Sequence, residues 1–368
     1  MKQAEELFDR IALRAIREGA FPGAVLRIED RRGLLFERCW GDALHTDSTR
    51  IPLGASTLFD LASVSKLFTT TAALRLASVG KLALADSVPC LYRRLFQGQD
   101  VGESALALLD RLLDGVRVVD LLSHASGIHY WYPFYTESDK SFESILIEVL
   151  EAYPRRAEVI YSDINFMILG RLVAGIAGAS LPTAMNDLVF VPIGLKRTSY
   201  GKPVGCAAAT EFGNRIERAM VANIGRSFDY WRDESIPIWG EPDDGNCYYY
   251  FHGAAGHAGV FSDAKDLCRL GKLYLDGGLV EGQQYIDPNI AAEALRERKG
   301  GRGLGFQCGE NYPHNGAGHS GFTGTYLHVN PQAGLVITLL TNRLHTARPI
   351  DITPLRREFS EAALSVYG

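Results

Sequence analysis

A serine followed three residues later by a lysine can make an activated nucleophile, and the pattern occurs at Ser63/Lys66, Ser199/Lys202 and Ser262/Lys265. On a helix the offset puts both side chains on one face, one turn apart. A lysine held there loses hydration, which is expected to lower its pKa and let it take the hydroxyl proton. The residues downstream of each pair distinguish the three. Lys202 runs into Pro203, which argues against a continuing helix, and Ser262 reads as the N-cap of a surface helix beginning at Asp263. Ser63-Val64-Ser65-Lys66 instead opens Leu67-Phe68-Thr69-Thr70-Thr71-Ala72-Ala73-Leu74, an almost chargeless run suited to a helix buried in a core. The N-terminus of such a helix adds partial positive charge where an oxyanion would develop. Alone, the pair also reads as a capping serine and a snorkelling lysine.

Two further clusters come later in chain order: Tyr161-Ser162-Asp163-Ile164-Asn165-Phe166 and His319-Ser320-Gly321-Phe322-Thr323-Gly324-Thr325. Tyr161 in isolation would be a core or rim tyrosine. Gly316-Ala317-Gly318-His319-Ser320-Gly321 fits G-x-G-x-x-G, but it precedes a strand instead of following one and opening a helix, so a dinucleotide site is not expected. A true G-x-S-x-G elbow is missing, which disfavours an α/β-hydrolase. His252/His257 and His314/His319 are five apart without a carboxylate at zinc-ligand spacing, so no metal is expected. The six cysteines at 39, 90, 206, 247, 268 and 308 form no C-x-x-C and read as buried, reduced thiols.

The ordered triplet, an S-x-x-K, then a Y-x-N-like and a K-T-G-like motif, resembles the serine β-lactamase and penicillin-binding-protein superfamily. It is most similar to the class C β-lactamase and D-Ala-D-Ala carboxypeptidase branch, which also contains D-aminopeptidases and short-chain esterases. Other segments carry the resemblance along most of the chain: Leu58-Phe59-Asp60-Leu61-Ala62, Gly80-Lys81-Leu82-Ala83-Leu84, Asp120-Leu121-Leu122-Ser123-His124-Ala125-Ser126-Gly127, Gly253 to Ser262, and Leu340-Thr341-Asn342-Arg343. The resemblance implies an α+β, β-lactamase/transpeptidase-like fold, with an antiparallel sheet flanked by helices plus a mainly helical lobe. It implies Ser63 as the acylated nucleophile, with Lys66 and Tyr161 sharing proton transfer. The backbone N–H groups of Ser63 and Phe322 would form the oxyanion hole, and His319, Ser320 and Gly321 would line the strand edge along which substrate lies. His124 and His257 fall in family-like loops, where imidazole is expected to hold backbone groups together. No cofactor is implied.

Two positions depart from the better-known enzymes. Asp163 stands where they carry Asn, so its carboxylate accepts hydrogen bonds but cannot donate one to a substrate carbonyl. It is expected near Lys66 and Tyr161, where it would stabilise the ammonium and shift base duty toward Tyr161. His319 stands where many carry Lys, and an imidazole of pKa ~6.5 would anchor a substrate carboxylate more strongly below neutral pH. Both changes put potent β-lactamase activity in doubt. The expected function is a serine hydrolase cleaving small amides or esters, such as D-amino-acid peptides or β-lactams. The alternatives are a short-chain carboxylesterase, or a catalytically weak binding or sensor protein on the same fold.

Residues so far apart in sequence have to be brought together by the elements between them. After a charged amphipathic helix up to about Gly19, Gly23 to Ile28 and Leu34 to Trp40 read as a hairpin. Gly324 to Val329 and Leu335 to Thr341 read as a second strand pair, followed by a helix from about Pro354 to Val366. The intervening chain is mostly helical in pattern: Ser65 to Ser78, Gly115 to Ser123, Phe142 to Glu151, Asn165 to Ala177, Leu181 to Leu188 and Asp263 to Leu275. The simplest arrangement is one catalytic unit over 1–368, its sheet lobe from about 1–62 and 300–368 and its helical lobe from about 63–299. The stretch without Asp, Glu, Lys or Arg from Asn311 to Asn342 reads as strands at the heart of the sheet.

The chain is 368 residues long, with 38 Lys and Arg against 43 Asp and Glu, a net charge of -5. Without runs of either sign, that excludes a dedicated nucleic-acid or anionic-membrane binder. With 46% hydrophobic and 22% charged residues the composition is that of a globular protein, and the partner expected is a small-molecule substrate. The amino terminus lacks the apolar core and cleavage site of a secretory signal, and no span is expected, so a cytoplasmic location is the expectation. Oligomeric state is left open.

Overall fold

The computed structural model describes residues 2–98, 101–203 and 205–368. The elements that position the site are, in chain order, α1 (Lys2–Arg17), β1 (Gly23–Asp30), β2 (Leu34–His45), β3 (Arg50–Pro52), α2 (Ser65–Ser78), α3 (Asp163–Ala177), α4 (Ala264–Leu275), β4 (Ala317–Ser320), β5 (Thr325–Asn330), β6 (Leu335–Thr341) and α5 (Thr353–Tyr367). The six strands form one antiparallel sheet in the order β4-β5-β6-β1-β2-β3. Strands from the two chain ends meet at its centre, with Val25 opposite Leu340.

Alternation along the central strands explains how the sheet is covered. Leu335, Ile337 and Leu339 of β6 face one side with Leu26 and Ile28 of β1, against Phe8 and Ile11 of α1 and Phe359 of α5. Val336 and Leu340 face the other, against Leu267 and Leu270 of α4 and the helical part of the molecule. Buried on both faces, β6 is a nearly continuous apolar run, whereas β1 also carries Arg27 and Glu29, buried as a hydrogen-bonded ion pair. Gly271 lets α4 settle onto the sheet, since a Cβ there would lie 2.5 Å from Val336 Cγ1. Helix 264–275 is therefore a buried helix on the sheet, not the surface helix expected from its sequence.

Helix α2 runs through the interior, buried from Ser65 to Leu74, and α3 packs against it. This is what its chargeless sequence requires. A small three-stranded sheet, Phe59–Asp60, Val260–Ser262 and Ser199–Tyr200, holds the chain just before α2. Ser199 is thus in a strand, and Ser262 ends another, its Oγ 2.7 Å from Thr198 Oγ1. The cap of α4 is Asp263, whose side chain accepts from the Asp266 N–H at 2.9 Å. In the 311–342 stretch, β5 and β6 are interior strands, whereas β4 lies at the edge of the sheet. Helices at Val88–Phe96, Glu103–Leu112 and Pro288–Leu295 add to those expected. Among the described residues no single helix is long and apolar enough to cross a membrane.

Candidate active site

Strand 59–60 ends in a tight turn, Ala62–Val64, that leads directly into α2 and carries Ser63 at its centre. Ala62 is held at φ 45°, a left-handed conformation that L-residues reach only when their surroundings enforce it. Those surroundings are hydrogen bonds. The Ala62 N–H donates to Asp60 Oδ1 at 2.9 Å, the Thr323 hydroxyl to the Asp60 carbonyl at 2.7 Å, and the Thr325 hydroxyl to the Leu61 carbonyl at 2.9 Å. Gly321 permits this approach, because a Cβ there would come within 2.0 Å of Thr325 Oγ1 and 2.5 Å of the Leu61 carbonyl. Arg356 of α5 closes the turn from below, donating to the Gly321 carbonyl at 2.7 Å.

Lys66 lies one helical turn beyond, fully buried, with Nζ donating to Ser63 Oγ at 3.0 Å and to the His257 carbonyl at 3.2 Å. Asp163, at the N-terminus of α3, forms an ion pair with it at 2.7 Å. Ser162 caps that helix and so points Asp163 inward. Burial works against the ammonium, but Asp163 and then Tyr161 outweigh it, and the Lys66 pKa ends above its ordinary value. The expectation of a lysine depressed by desolvation is thus corrected. Lys66 rests as an ammonium.

Tyr161 stands in a ring of nitrogen groups. Lys66 Nζ is 5.1 Å from its ring centre, the Arg302 guanidinium 4.8 Å, and the His124 and His319 rings 4.7 and 5.9 Å. His124 Nδ1 accepts from the Ser162 backbone N–H at 3.0 Å, the backbone-holding role expected of it. The ring of His257 instead meets a carboxylate, Asp244, at 3.0 Å.

A cavity of about 220 Å³ opens onto Ser63 and is lined by Trp131, Tyr161, Asp163, Glu217, Asp244 and Phe322, among others. Ser63 and Phe322, whose backbone N–H groups are expected to form the oxyanion hole, both line it. A larger cavity, about 840 Å³, lies between β1 and α4 and contains none of these residues, so size does not identify the site here. Among the described residues no group of three or more His, Cys, Asp or Glu side chains is arranged to hold a metal ion.

The profile of the Beta-lactamase family matches residues 8–360. The chain belongs to this family. It is a serine hydrolase. It is 30% identical to an N-acetylmuramyl-L-alanine amidase of Bacillus subtilis, over 92% of this chain and 80% of that one. In fold it is similar to EstCE1, a hydrolase with promiscuous acyltransferase activity, at a TM-score of 0.73 and 22% identity, covering 100% of this chain and 99% of that one. It is also similar to a class C beta lactamase from Rhodobacter sphaeroides, at a TM-score of 0.70 and 19% identity, each chain covered in full.

Within the family frame, the third motif is arranged differently from the sequence expectation. His319 is fully buried, and its Nδ1 lies 2.9 Å from the Ser320 carbonyl, an acceptor, so Nδ1 carries the proton. Burial, then the nearby Lys66 and Arg302 charges, push its pKa well below the ordinary value. A pH-switched carboxylate anchor at His319 is therefore corrected: the ring stays neutral through the physiological range. Neither His319, Ser320 nor Gly321 lines the 220 Å³ cavity; Ser320 Oγ turns to Gln307, and Gly321 lies beneath Leu61. Ser63, Tyr161, Asp163 and Phe322 do line that cavity, and the rest of the wall comes mostly from residues that sequence reasoning missed. Trp131, Glu217, Met220, Asp243 and Asp244 are brought in by loops and a short helix with no local motif. Arg302 precedes β4 in a Gly-rich turn, and only its position before the third motif hinted at the site.

Proposed function

We propose that this serine hydrolase cleaves small amides or esters through an acyl-enzyme on Ser63, with Tyr161 taking the serine proton. The observation that carries this reading is the contact of the Lys66 ammonium with Ser63 Oγ at 3.0 Å while Asp163 neutralises it at 2.7 Å. A lysine already protonated orients the serine and stabilises negative charge on Oγ but cannot accept its proton. Tyr161, which shares Lys66 as neighbour and lines the same cavity, is then the acceptor.

In acylation Ser63 Oγ bonds to the substrate carbonyl carbon as its proton passes to the phenolate oxygen of Tyr161, which becomes a neutral phenol. The tetrahedral oxyanion accepts from the Ser63 and Phe322 N–H groups. Tyr161 returns the proton to the departing amine or alcohol, the bond to that group breaks, and water repeats the sequence to release the acid. The cavity is small, and Trp131, Met220 and Phe322 give it apolar walls, which suits a compact acyl group. The amidase relative favours amides bearing amino acids, and the short-chain esterase reading fits the same cavity. A fluorophosphonate should label Ser63 alone, and Tyr161→Phe should lower the acylation rate ~10²–10⁴-fold, the usual contribution of a general base. Label on another serine, or an unimpaired Tyr161→Phe enzyme, overturns the assignment.

A further inference from the structure

The charged and titratable groups that face Tyr161 come from separate elements. Lys66 belongs to α2, His124 to the loop after residues 118–122, His319 to β4 and Arg302 to the turn before β4, while Asp163 acts through Lys66. Asp163 neutralises Lys66. Both imidazoles rest uncharged, His124 because burial and then the Arg302 and Lys66 charges depress it as they do His319. Edge strand β4 therefore brings no charge to the site.

Arg302 is the exception. It enters no ion pair among the described residues, and its buried Nη1 has no hydrogen-bond partner. Its backbone is fixed in a turn, with the Arg302 N–H donating to the Lys299 carbonyl at 3.2 Å and the Arg298 N–H to the Arg302 carbonyl at 2.8 Å. That turn holds the guanidinium over the Tyr161 ring, 4.8 Å from its centre. An arginine left partly desolvated without a carboxylate is costly unless another negative group, such as a tyrosinate, stands beside it.

We infer that Arg302 is a positioning residue for Tyr161, its guanidinium stabilising the tyrosinate that accepts the Ser63 proton. The inference rests on the reading that Tyr161 accepts that proton. A cation over a phenol ring is attracted by the ring face and more strongly by the phenolate, and low local dielectric magnifies both effects. The charge that β4 lacks is thereby supplied from the turn that precedes it.

The test is kcat/KM against pH for an uncharged p-nitrophenyl ester, with native enzyme, Arg302→Gln, Arg302→Lys and Tyr161→Phe. Circular dichroism checks the fold of each, and Arg302→Met replaces Arg302→Gln if the latter is unfolded. Arg302→Gln should lose roughly tenfold near neutral pH, the size of a cation–π contact at a desolvated site. Its ascending limb should move to higher pH with KM little changed, and Arg302→Lys should restore much of the native position. An ascending limb that stays in place, or equal losses in the Gln and Lys variants, overturns the inference. So does an effect confined to the KM of carboxylate-bearing substrates, which would make Arg302 a substrate anchor. If Tyr161→Phe keeps native kcat/KM, the reading of Tyr161 itself fails, whatever the Arg302 variants do.

Discussion

Lys66 reaches Ser63 already holding its proton, because a single substituted position, Asp163, decides its charge. The raised pKa sets the sign of the linkage. Stabilisation by the pair is fully present below the ordinary lysine pKa of ~10.4 and is lost as pH rises through the higher folded value. Asp163→Asn leaves a buried ammonium without its counter-charge, so the alkaline limb of kcat/KM should move to lower pH and stability at pH 7 should fall by about 3 kcal/mol. Urea unfolding from pH 7 to 11 measures the second effect, and the deficit relative to native enzyme should narrow as pH rises. A variant with the native alkaline limb and native stability would show that Asp163 does not control Lys66. Selectivity should also move toward β-lactams, since an amide at 163 regains a donor for a substrate carbonyl. The proximity of Asp163 to Lys66 was legible in sequence because motif order dictates it. The sense of the lysine shift was open to either sign, since burial and a carboxylate act in opposite directions and only their distances decide between them.

The nucleophile turn is set by the strand it rests on. Residues 60 and 61, which lead into it, are held by hydroxyls of Thr323 and Thr325, and Gly321 makes the contact sterically possible. Gly321→Ala should push the turn away from β5, misaligning Ser63 with the Phe322 N–H. Displacement on the order of 1 Å at a reacting centre costs ~10²-fold in rate, so kcat should fall by about that factor with secondary structure intact by circular dichroism. Native kcat in this variant would mean the turn is positioned some other way. Both terminal strand pairs and most core helices were legible from periodicity, because their apolar alternation has to match two covered faces. The capping of α4 by Asp263, the edge position of β4 and the placement of 264–275 on the sheet were not, since neighbouring elements set them. The same holds for the cavity walls: nothing local at Trp131, Glu217 or Asp244 marks them as neighbours of Ser63.

In the molecule as a whole, buried carboxyl groups gather behind the cavity: Glu217 and Asp243 line it, and Asp60 and Glu211 are linked to Asp243 by backbone hydrogen bonds. Glu217 is buried and pushed well above the carboxylate range by desolvation and by Asp244, while Asp60 rises to about 7 and Glu211 to about 8, each chiefly through burial. The native protein keeps protons that the unfolded chain has released, so these groups make stability fall as pH rises from ~4.5 through their folded pKa values. Glu217→Gln is an uncharged replacement whose amide can accept from the Gly245 N–H and donate to the Tyr135 oxygen. It should raise Tm at pH 8 more than at pH 5, whereas a uniform loss at both would show that Glu217 is ionised and paired in the native state. The fold class and a serine hydrolase were legible in the sequence, since three motifs in fixed order constrain a whole topology, and so was the meeting of residues 63, 66 and 161. The charge of the site was not, because it depends on which buried groups meet.

Catalysis through an acyl-enzyme on Ser63 leaves a transient covalent mass, and acid-quenched intact-mass spectrometry over time detects it. Native enzyme and Ser63→Ala are mixed with an activated short-chain ester or a penicillin and sampled from milliseconds to minutes. Native enzyme should gain one acyl mass, mapped by peptide digestion to Ser63 and decaying as product is released, with no adduct and no turnover above background in Ser63→Ala. Turnover retained by Ser63→Ala, or an adduct mapped to another residue, would refute the assignment of Ser63 as the nucleophile.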